Sequence, residues 1–377
     1  MNRSGRPQRG AACSLGEQAE RRAEPSHREP RASSSWGVGP REGRKTMNVL
    51  VTGATGLIGN AIAQRLLARG HQVRALVRDP ERAARLLPAG VELVRGDVTA
   101  PDSLPAAVRD VEWLFHAAGM PEQWQPDETI FDRVNRQGTV NVLRAALAGR
   151  VKRVVYTSTM DVFAAPRGGT LVETNLDTEP KPTAYERSKQ AAEREAEVIR
   201  REGLELVYVN PGAVYGPSPV HVGLNSLFLQ VLNRKAPALP PGGMPVAYVD
   251  GVADAHLAAA ERGVPGERYL LADTHVSNAE LAREILRVEG LGARVPPTMP
   301  AGVMKVLAVV SAPLARMFGF TPLIASGQLS FLLWNVRVDA SKARRELGFE
   351  PTPLSEGVEK TVAFLREQGL VKSRQTR

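Results

Sequence analysis

The stretch Ala184-Tyr185-Glu186-Arg187-Ser188-Lys189-Gln190 sets a phenol four residues ahead of an ammonium, where a helix begins. Residues four apart on a helix share a face, with ~5–6 Å between their Cβ atoms. A free tyrosine titrates near ~10, too high for efficient proton transfer at neutral pH. A cation about 4 Å away favours the phenolate by ~1 to ~4 kcal/mol over effective dielectrics of ~80 to ~20, roughly one to three pKa units. Such a pair can serve as an acid–base group tuned by its own neighbour. It can equally be a solvated helix face, because Tyr-x-x-x-Lys recurs by chance. The rest of the chain has to decide.

A second constellation lies at TGATGLIGN (52–60), where Gly53, Gly56 and Gly59 are spaced three apart between a strand and a helix start. The first glycine permits a tight turn, the second lets backbone approach a diphosphate, and the third lets helix and strand pack closely. Free N–H groups and the helix dipole favour an anion there. Thr55, Leu57 and Ile58 complete this candidate cofactor loop. The second strand ends in ALVRDP, with Arg78 before Asp79. Arg78, helped by Arg74 or Arg82, suits a 2′-phosphate and hence NADP, whereas Asp79 keeps NAD open. Asp97 and Val98 follow the third strand, where the acid can accept from an adenine amino group or cap the next helix. His116-Ala117-Ala118-Gly119 ends the fourth strand with small side chains that leave room for a cofactor, and His116 reads as structural.

These residues need a scaffold, and the hydrophobic rhythm supplies one. Strands are expected at 47–52, 71–77, 91–96, 111–117, 151–158, 204–210 and 266–273. Helices are expected from Leu57 to Arg69, from Asp127 to Ala148 and from the tyrosine to about Arg201. Strands alternating with helices, without hairpin turns, argue an α/β fold with a Rossmann-type, doubly wound parallel sheet. Its strand ends then share one edge. After Pro211 the rhythm changes to Pro/Gly-rich and helical segments, read as a smaller, mostly helical substrate cap. The expected division is a dinucleotide-binding domain over 47–211 with 245–273, a cap over 212–244 with 274–370, and a tail over 371–377. Asp250 reads as the N-cap of a helix that follows AYV. Val303, Val306, Leu307, Val310, Leu314, Met317 and Phe318 fall on one helical face. That face is expected to pack on the cap core; a membrane-surface contact or an apolar substrate lid is the alternative reading.

Composition narrows the class. At 377 residues, 43% hydrophobic and 24% charged, the chain reads as a soluble globular protein that needs no metal or disulfide to hold its core. Cys13 is the only cysteine, which suits a reducing compartment and a cytoplasmic location, and no Cys/His spacing matches a metal site. Residues 1–46 carry ten basic and five acidic residues, a net +5 of the total +9. They are too poor in apolar residues to fold, and are read as a disordered basic extension or as a start codon assigned too early. The remaining +4 does not make a nucleic-acid surface. No segment reads as a transmembrane helix, since Lys305, Pro313 and Arg316 interrupt the most apolar run.

GATGLIG, GDV, HAAG, NRQGTVN (135–141), YTSTMDVF (156–163), YERSK (185–189) and NPGAVYGP (210–217) occur in the order seen in extended short-chain dehydrogenase/reductases. From about Met47 to Gln368 the chain resembles this NAD-dependent epimerase/dehydratase superfamily, most of all its dihydroflavonol-4-reductase-like and 3β-hydroxysteroid-dehydrogenase-like members. The resemblance implies that Tyr185 is the acid–base group and that Lys189 tunes it and holds the nicotinamide ribose. Thr159, with Ser158 adjacent, is the implied hydroxyl that polarises the reacting oxygen. Asn135 is implied near the proton path, and Pro211 and Gly212 beside the nicotinamide. The resemblance implies an NADP-dependent oxidoreductase, NAD remaining possible, and allows a homodimer. Glu186 departs from the Tyr-Gly-x-Ser-Lys common among nucleotide-sugar epimerases and dehydratases. Val220, His221, Val222, Leu224, Leu227 and Phe228, with Met120 and Trp124, suggest an apolar small-molecule pocket. The expected reaction interconverts a ketone and a secondary alcohol. A nucleotide-sugar epimerase or dehydratase, or a non-catalytic cofactor sensor, are the alternatives.

Overall fold

In chain order the elements are β1 (Asn48–Thr52), α1 (Leu57–Ala68), β2 (Gln72–Val77), α2 (Pro80–Leu86), β3 (Glu92–Arg95), α3 (Leu104–Ala107) and β4 (Trp113–His116). Then come α4 (Thr129–Phe131), a π-helical turn (Asp132–Gln137), α5 (Gly138–Ala148), β5 (Arg153–Thr157), β6 (Thr170–Leu171), α6 (Ala184–Arg201) and β7 (Leu206–Pro211). The remainder comprises β8 (Ala213–Tyr215), α7 (Leu224–Leu232), β9 (Gly243–Tyr248), α8 (Val249–Arg262), β10 (Arg268–Leu271), β11 (Thr274–Ser277) and α9 (Asn278–Val288). It ends with α10 (Ala301–Phe318), β12 (Arg337–Val338), α11 (Ser341–Leu347) and α12 (Leu354–Glu367). The structure, a computed structural model, describes residues 45–121, 124–220, 223–290, 295–318 and 333–371, with Leu329 and Phe331. The expected extension over 1–46 lies almost wholly outside the described residues, as do His221 and Val222.

Seven strands pair in the order β10-β7-β5-β4-β1-β2-β3, every pair parallel. These are the seven strands the hydrophobic runs predict. Period-two alternation divides their side chains between two helical layers. Val49 and Val51 of β1 join the core on the α1 and α8 side, whereas Leu50 joins the core on the α5 and α6 side. β7 is buried along its whole length, as a central parallel strand covered on both faces should be. The order reverses between β1 and β4, and the loops after these two strands flank the crevice where such sheets bind ligands.

Beyond β7 the chain builds a three-stranded sheet, β11-β9-β8, over a core of Tyr215, Phe228, Val246, Leu281, Ile285, Val358 and Val362. Within 245–273, β9 pairs in this smaller sheet while α8 packs on α1 and β10 closes one edge of the large sheet. Asp250 is not the N-cap of α8. Tyr248 holds that position and Asp250 lies in the first turn, drawn into a 2.9 Å ion pair with Arg65 of α1. The Asp127–Ala148 helix is interrupted: its second turn is wound as a π-helix. α10 overturns the expected packing. Met304, Ala308 and Ala315 form its buried seam, whereas Val303, Val306, Leu307, Val309, Val310, Leu314, Met317 and Phe318 are 39–71% exposed. A helix can bury only the stripe that meets a neighbour, and here one methionine and two alanines hold that stripe.

Candidate active site

The glycine loop is fixed by backbone contact. Gly53 has φ +72°, and a Cβ there would stand 2.6 Å from the Ala117 carbonyl and the Ala118 nitrogen. A Cβ on Gly59 would stand 2.2 Å from the Gly53 carbonyl oxygen, so α1 packs on the loop only through glycine. Gly56 differs, since a Cβ there meets nothing nearer than the Gly53 oxygen at 3.2 Å. It is the N-cap of α1 and no side chain caps the helix, whose first turn also lacks an acid. The N–H groups of this turn border an open cavity, which fits an anionic diphosphate.

α6 brings in the tyrosine and the lysine. Its start is held by a reciprocal cap: Thr183 Oγ1 accepts from the Glu186 N–H at 3.0 Å, and Glu186 Oε2 accepts from the Thr183 N–H at 3.0 Å. That explains the acid after Tyr185. Tyr185 is half-buried and stands edge-on to Phe131 at 6.1 Å. Lys189 is buried and donates to the Thr157 carbonyl at 3.0 Å and the Tyr156 hydroxyl at 3.1 Å. Asn135 is no surface amide. It is buried in the π turn, accepts from Met120 N at 2.7 Å, and donates to Met120 O and Ser188 Oγ, each at 3.1 Å. Ser188 in turn donates to the Tyr185 carbonyl at 2.6 Å, so Asn135 ties the loop after β4 to the tyrosine's own turn.

Two hydroxyls leave β5 at the same edge. Thr159 Oγ1 donates to Asp161 Oδ2 at 2.7 Å, and its carbonyl is held by Asn210 at 3.0 Å. Asn210 also donates to the buried Glu193, which pairs with Arg268 at 2.6 Å. Ser158 Oγ is buried without a hydrogen-bond partner, and so is Asp161 Oδ1. Burial, and then the Glu186 carboxylate, push the Asp161 carboxyl up to about 6 against the Thr159 hydrogen bond. His116 is structural: it bridges Thr52 at 2.7 Å and Thr139 at 2.9 Å, and burial holds it down at about 3.

A cavity of about 490 Å³ joins these groups to the cap. Gly53, Gly56, Leu57, Ile58, Gly59, Ala117, Gly119, Thr159, Tyr185, Pro211 and Gly212 line it, with Ser158, Asp161 and Glu186. Val220, Leu224 and Leu227 extend it into the cap. Phe228 is cap core instead, and Met120 and Trp124 are not among the lining residues. Lys189 and Asn135 are buried and are not among the lining residues. Thr55, Ala118, Asp97 and Val98 also lie outside the lining: Ala118 N reaches Thr52 Oγ1 at 3.3 Å, and Val98 is core. Asp97 does not cap a helix; it accepts from the Thr99 N–H and hydroxyl at 2.8 and 2.9 Å. Arg78 is exposed at the end of β2, while Asp79 caps α2 by accepting from the Arg82 N–H. Arg74 is occupied elsewhere, ion-paired with Glu92 at 3.0 Å and bonded to the Ala107 and Arg109 carbonyls, so it cannot assist Arg78. Sequence reasoning missed Asp161 and Tyr156, whose roles depend on contacts between neighbouring elements. It also missed Thr183, which a Thr-x-x-Glu pattern signals.

Residues 49–272 match the model of the NAD dependent epimerase/dehydratase family. The chain is 31% identical over 330 residues to sterol demethylase protein B of Methylococcus capsulatus, covering 86% of this chain and 100% of that protein. It is 31% identical over 335 residues to a Synechocystis protein provisionally described as a dihydroflavonol 4-reductase, covering 86% and 96% of the two chains. The crystal structure of gox2253 superposes with a TM-score of 0.72 at 31% identity, covering 87% of this chain and 100% of that one.

Proposed function

Because the chain belongs to the NAD dependent epimerase/dehydratase family, we propose that it is an NADP-dependent reductase or dehydrogenase that interconverts a ketone and a secondary alcohol on a largely apolar substrate. That it is an NAD(P)-dependent oxidoreductase follows from the family and its reductase-named relative. The observation that carries the finer reading is the cavity wall. Met244, Met299, Met304 and Phe331 line it together with Leu224 and Leu227, and among the described residues no arginine or lysine does. A nucleotide-sugar diphosphate needs cations or N–H donors, and here Asp161 and Glu186 would repel it. A name that speaks of a sterol in one relative agrees with an apolar substrate.

The first turn of α1 would hold the diphosphate, Pro211 and Gly212 would flank the nicotinamide, and Lys189 would hold its ribose. Arg78 would meet a 2′-phosphate, and Asp97 would accept from the adenine. The bound nicotinamide supplies or accepts the hydride. Tyr185 delivers a proton to the substrate oxygen in reduction and withdraws it in oxidation. Ser158 with its unspent hydroxyl, or Thr159 on releasing Asp161 Oδ2, donates to the same oxygen as charge develops. Asn135 positions the tyrosine's turn through Ser188.

The test is NADPH consumption with a panel of apolar ketones, with Tyr185→Phe as the control. Turnover is expected to fall by about 10²–10⁴, while NADPH binding, read by fluorescence titration, is retained. Interconversion of nucleotide sugars without exchange of free NADPH would sink the proposal, as would a Tyr185→Phe enzyme of undiminished rate.

A further inference from the structure

We infer that the outward face of α10 docks on an anionic lipid surface, setting one wall of the cavity beside the membrane. Amphipathic surface helices turn apolar residues inward and polar residues outward. α10 instead buries a narrow seam of Met304, Ala308 and Ala315, and exposes Val306 by 63%, Val309 by 71%, Met317 by 66% and Phe318 by 69%. Leaving so many large apolar side chains in water marks a contact surface.

Charge identifies the partner. From Gly290 to Val338 the chain has no acidic residue and four basic ones, Arg294, Lys305, Arg316 and Arg337. An apolar helical face carried on a segment that is only cationic matches an anionic headgroup layer over hydrocarbon. An acidic protein surface would satisfy the cations but not the apolar rows between them. A second copy is a poorer match. The helix is about 27 Å long and about 10 Å wide, so its outer face offers roughly a few hundred Å², below the ~800 Å² per partner of a stable interface. The seam opposite this face supplies Met304 to the cavity wall, beside Met299. One helix therefore has the cavity on its seam side and its exposed apolar face on the other. Among the described residues no helix is long and apolar enough to cross a membrane, so the contact is a surface one.

The test uses the full chain and vesicles of phosphatidylcholine alone or mixed with phosphatidylglycerol. The protein is expected to co-sediment with the mixed vesicles, and less so as salt rises. The double variant Val306→Glu/Val310→Glu is expected to lower binding at least about tenfold. Its melting temperature and its rate on a water-soluble ketone should match the parent, because neither residue lines the cavity. Failure to bind mixed vesicles would overturn the inference. So would undiminished binding of the double variant, which would assign the attraction to the basic residues 1–46. Light scattering that finds a parent dimer and a monomeric double variant would give the face to a second copy instead. Vesicle binding requires no turnover, so this result stands apart from the proposed reaction.

Discussion

Helices α6 and α10 are each 18 residues long, and both border the same cavity, α6 through Tyr185 and Glu186 and α10 through Met304. Their other surfaces have opposite chemistry. α6 starts in a reciprocal cap, and its outer charges are paired, Arg200 and Arg201 with Glu197 and Glu195 with Arg136. α10 contains a proline, no acid, and an outer face of valine, leucine, methionine and phenylalanine. The difference follows what each wall must do. Proton transfer tolerates little error in distance, so the residues around Tyr185 are held from several sides. An apolar ligand needs only a water-poor surface of adequate shape, and that wall rests on one narrow seam.

The strongest way to break this comparison is to strip α6 of its inward cation. Lys189→Met is expected to lower turnover by about 10²–10⁴ and to raise the KM for the cofactor, measured by steady-state kinetics. A change below about tenfold would mean that α6 is no more demanding than α10.

Next comes the acid beneath α6. The Asp161 carboxyl, pushed up to about 6 by burial and by Glu186, binds its proton more tightly folded than unfolded, where it titrates near ~3.9. Its contribution to stability is therefore full below about pH 4 and lost as pH rises through about 6. Asp161→Asn should be more stable than the parent by about 1–3 kcal/mol at pH 8 and equal to it near pH 4, read from urea denaturation at both values. A stability gap that ignores pH would show that Asp161 does not titrate in that window.

A smaller effect belongs to the cap. Thr183→Ala should cost about 1 kcal/mol in the same denaturation experiment, having freed the Glu186 N–H while the backbone N–H at 183 still reaches the Glu186 carboxylate. An unchanged midpoint would mean that the start of α6 is held by packing alone. The smallest is reserved for α10: Val309→Gln, at a position 71% exposed, should stay within about 0.5 kcal/mol of the parent. A loss above about 1 kcal/mol would show that the face is covered in the isolated protein.

The same contrast governs what could be read from the chain beforehand. The seven strands of the large sheet, the glycine loop and α6 are legible because each is written locally, as an apolar run, a spacing or a turn. Asp250 misled because the same residue type that caps helices also makes ion pairs, and Arg65, far away in sequence, decided between them. Arg74 looked available for the same reason until Glu92 appeared beside it. The partnering of Thr159 with Asp161 and the leftover Ser158 hydroxyl depend on where a short turn after β5 meets α6. For α10, periodicity gave the grouping of residues and not the direction the group faces, because apolar residues occur on both sides of it.

The π turn at Asp132–Gln137 holds one residue more than an α-helical path would use. Excising a single position there would let the turn close into an α-helix with both flanks still in register, and would shift only the residues of the bulge itself. Asn135 would then leave Met120 and Ser188, although every amino acid involved remained in the chain. This stretch is constrained in its length as well as its spelling, and a one-residue gap among its relatives would signal a rebuilt centre more surely than any exchange of side chains.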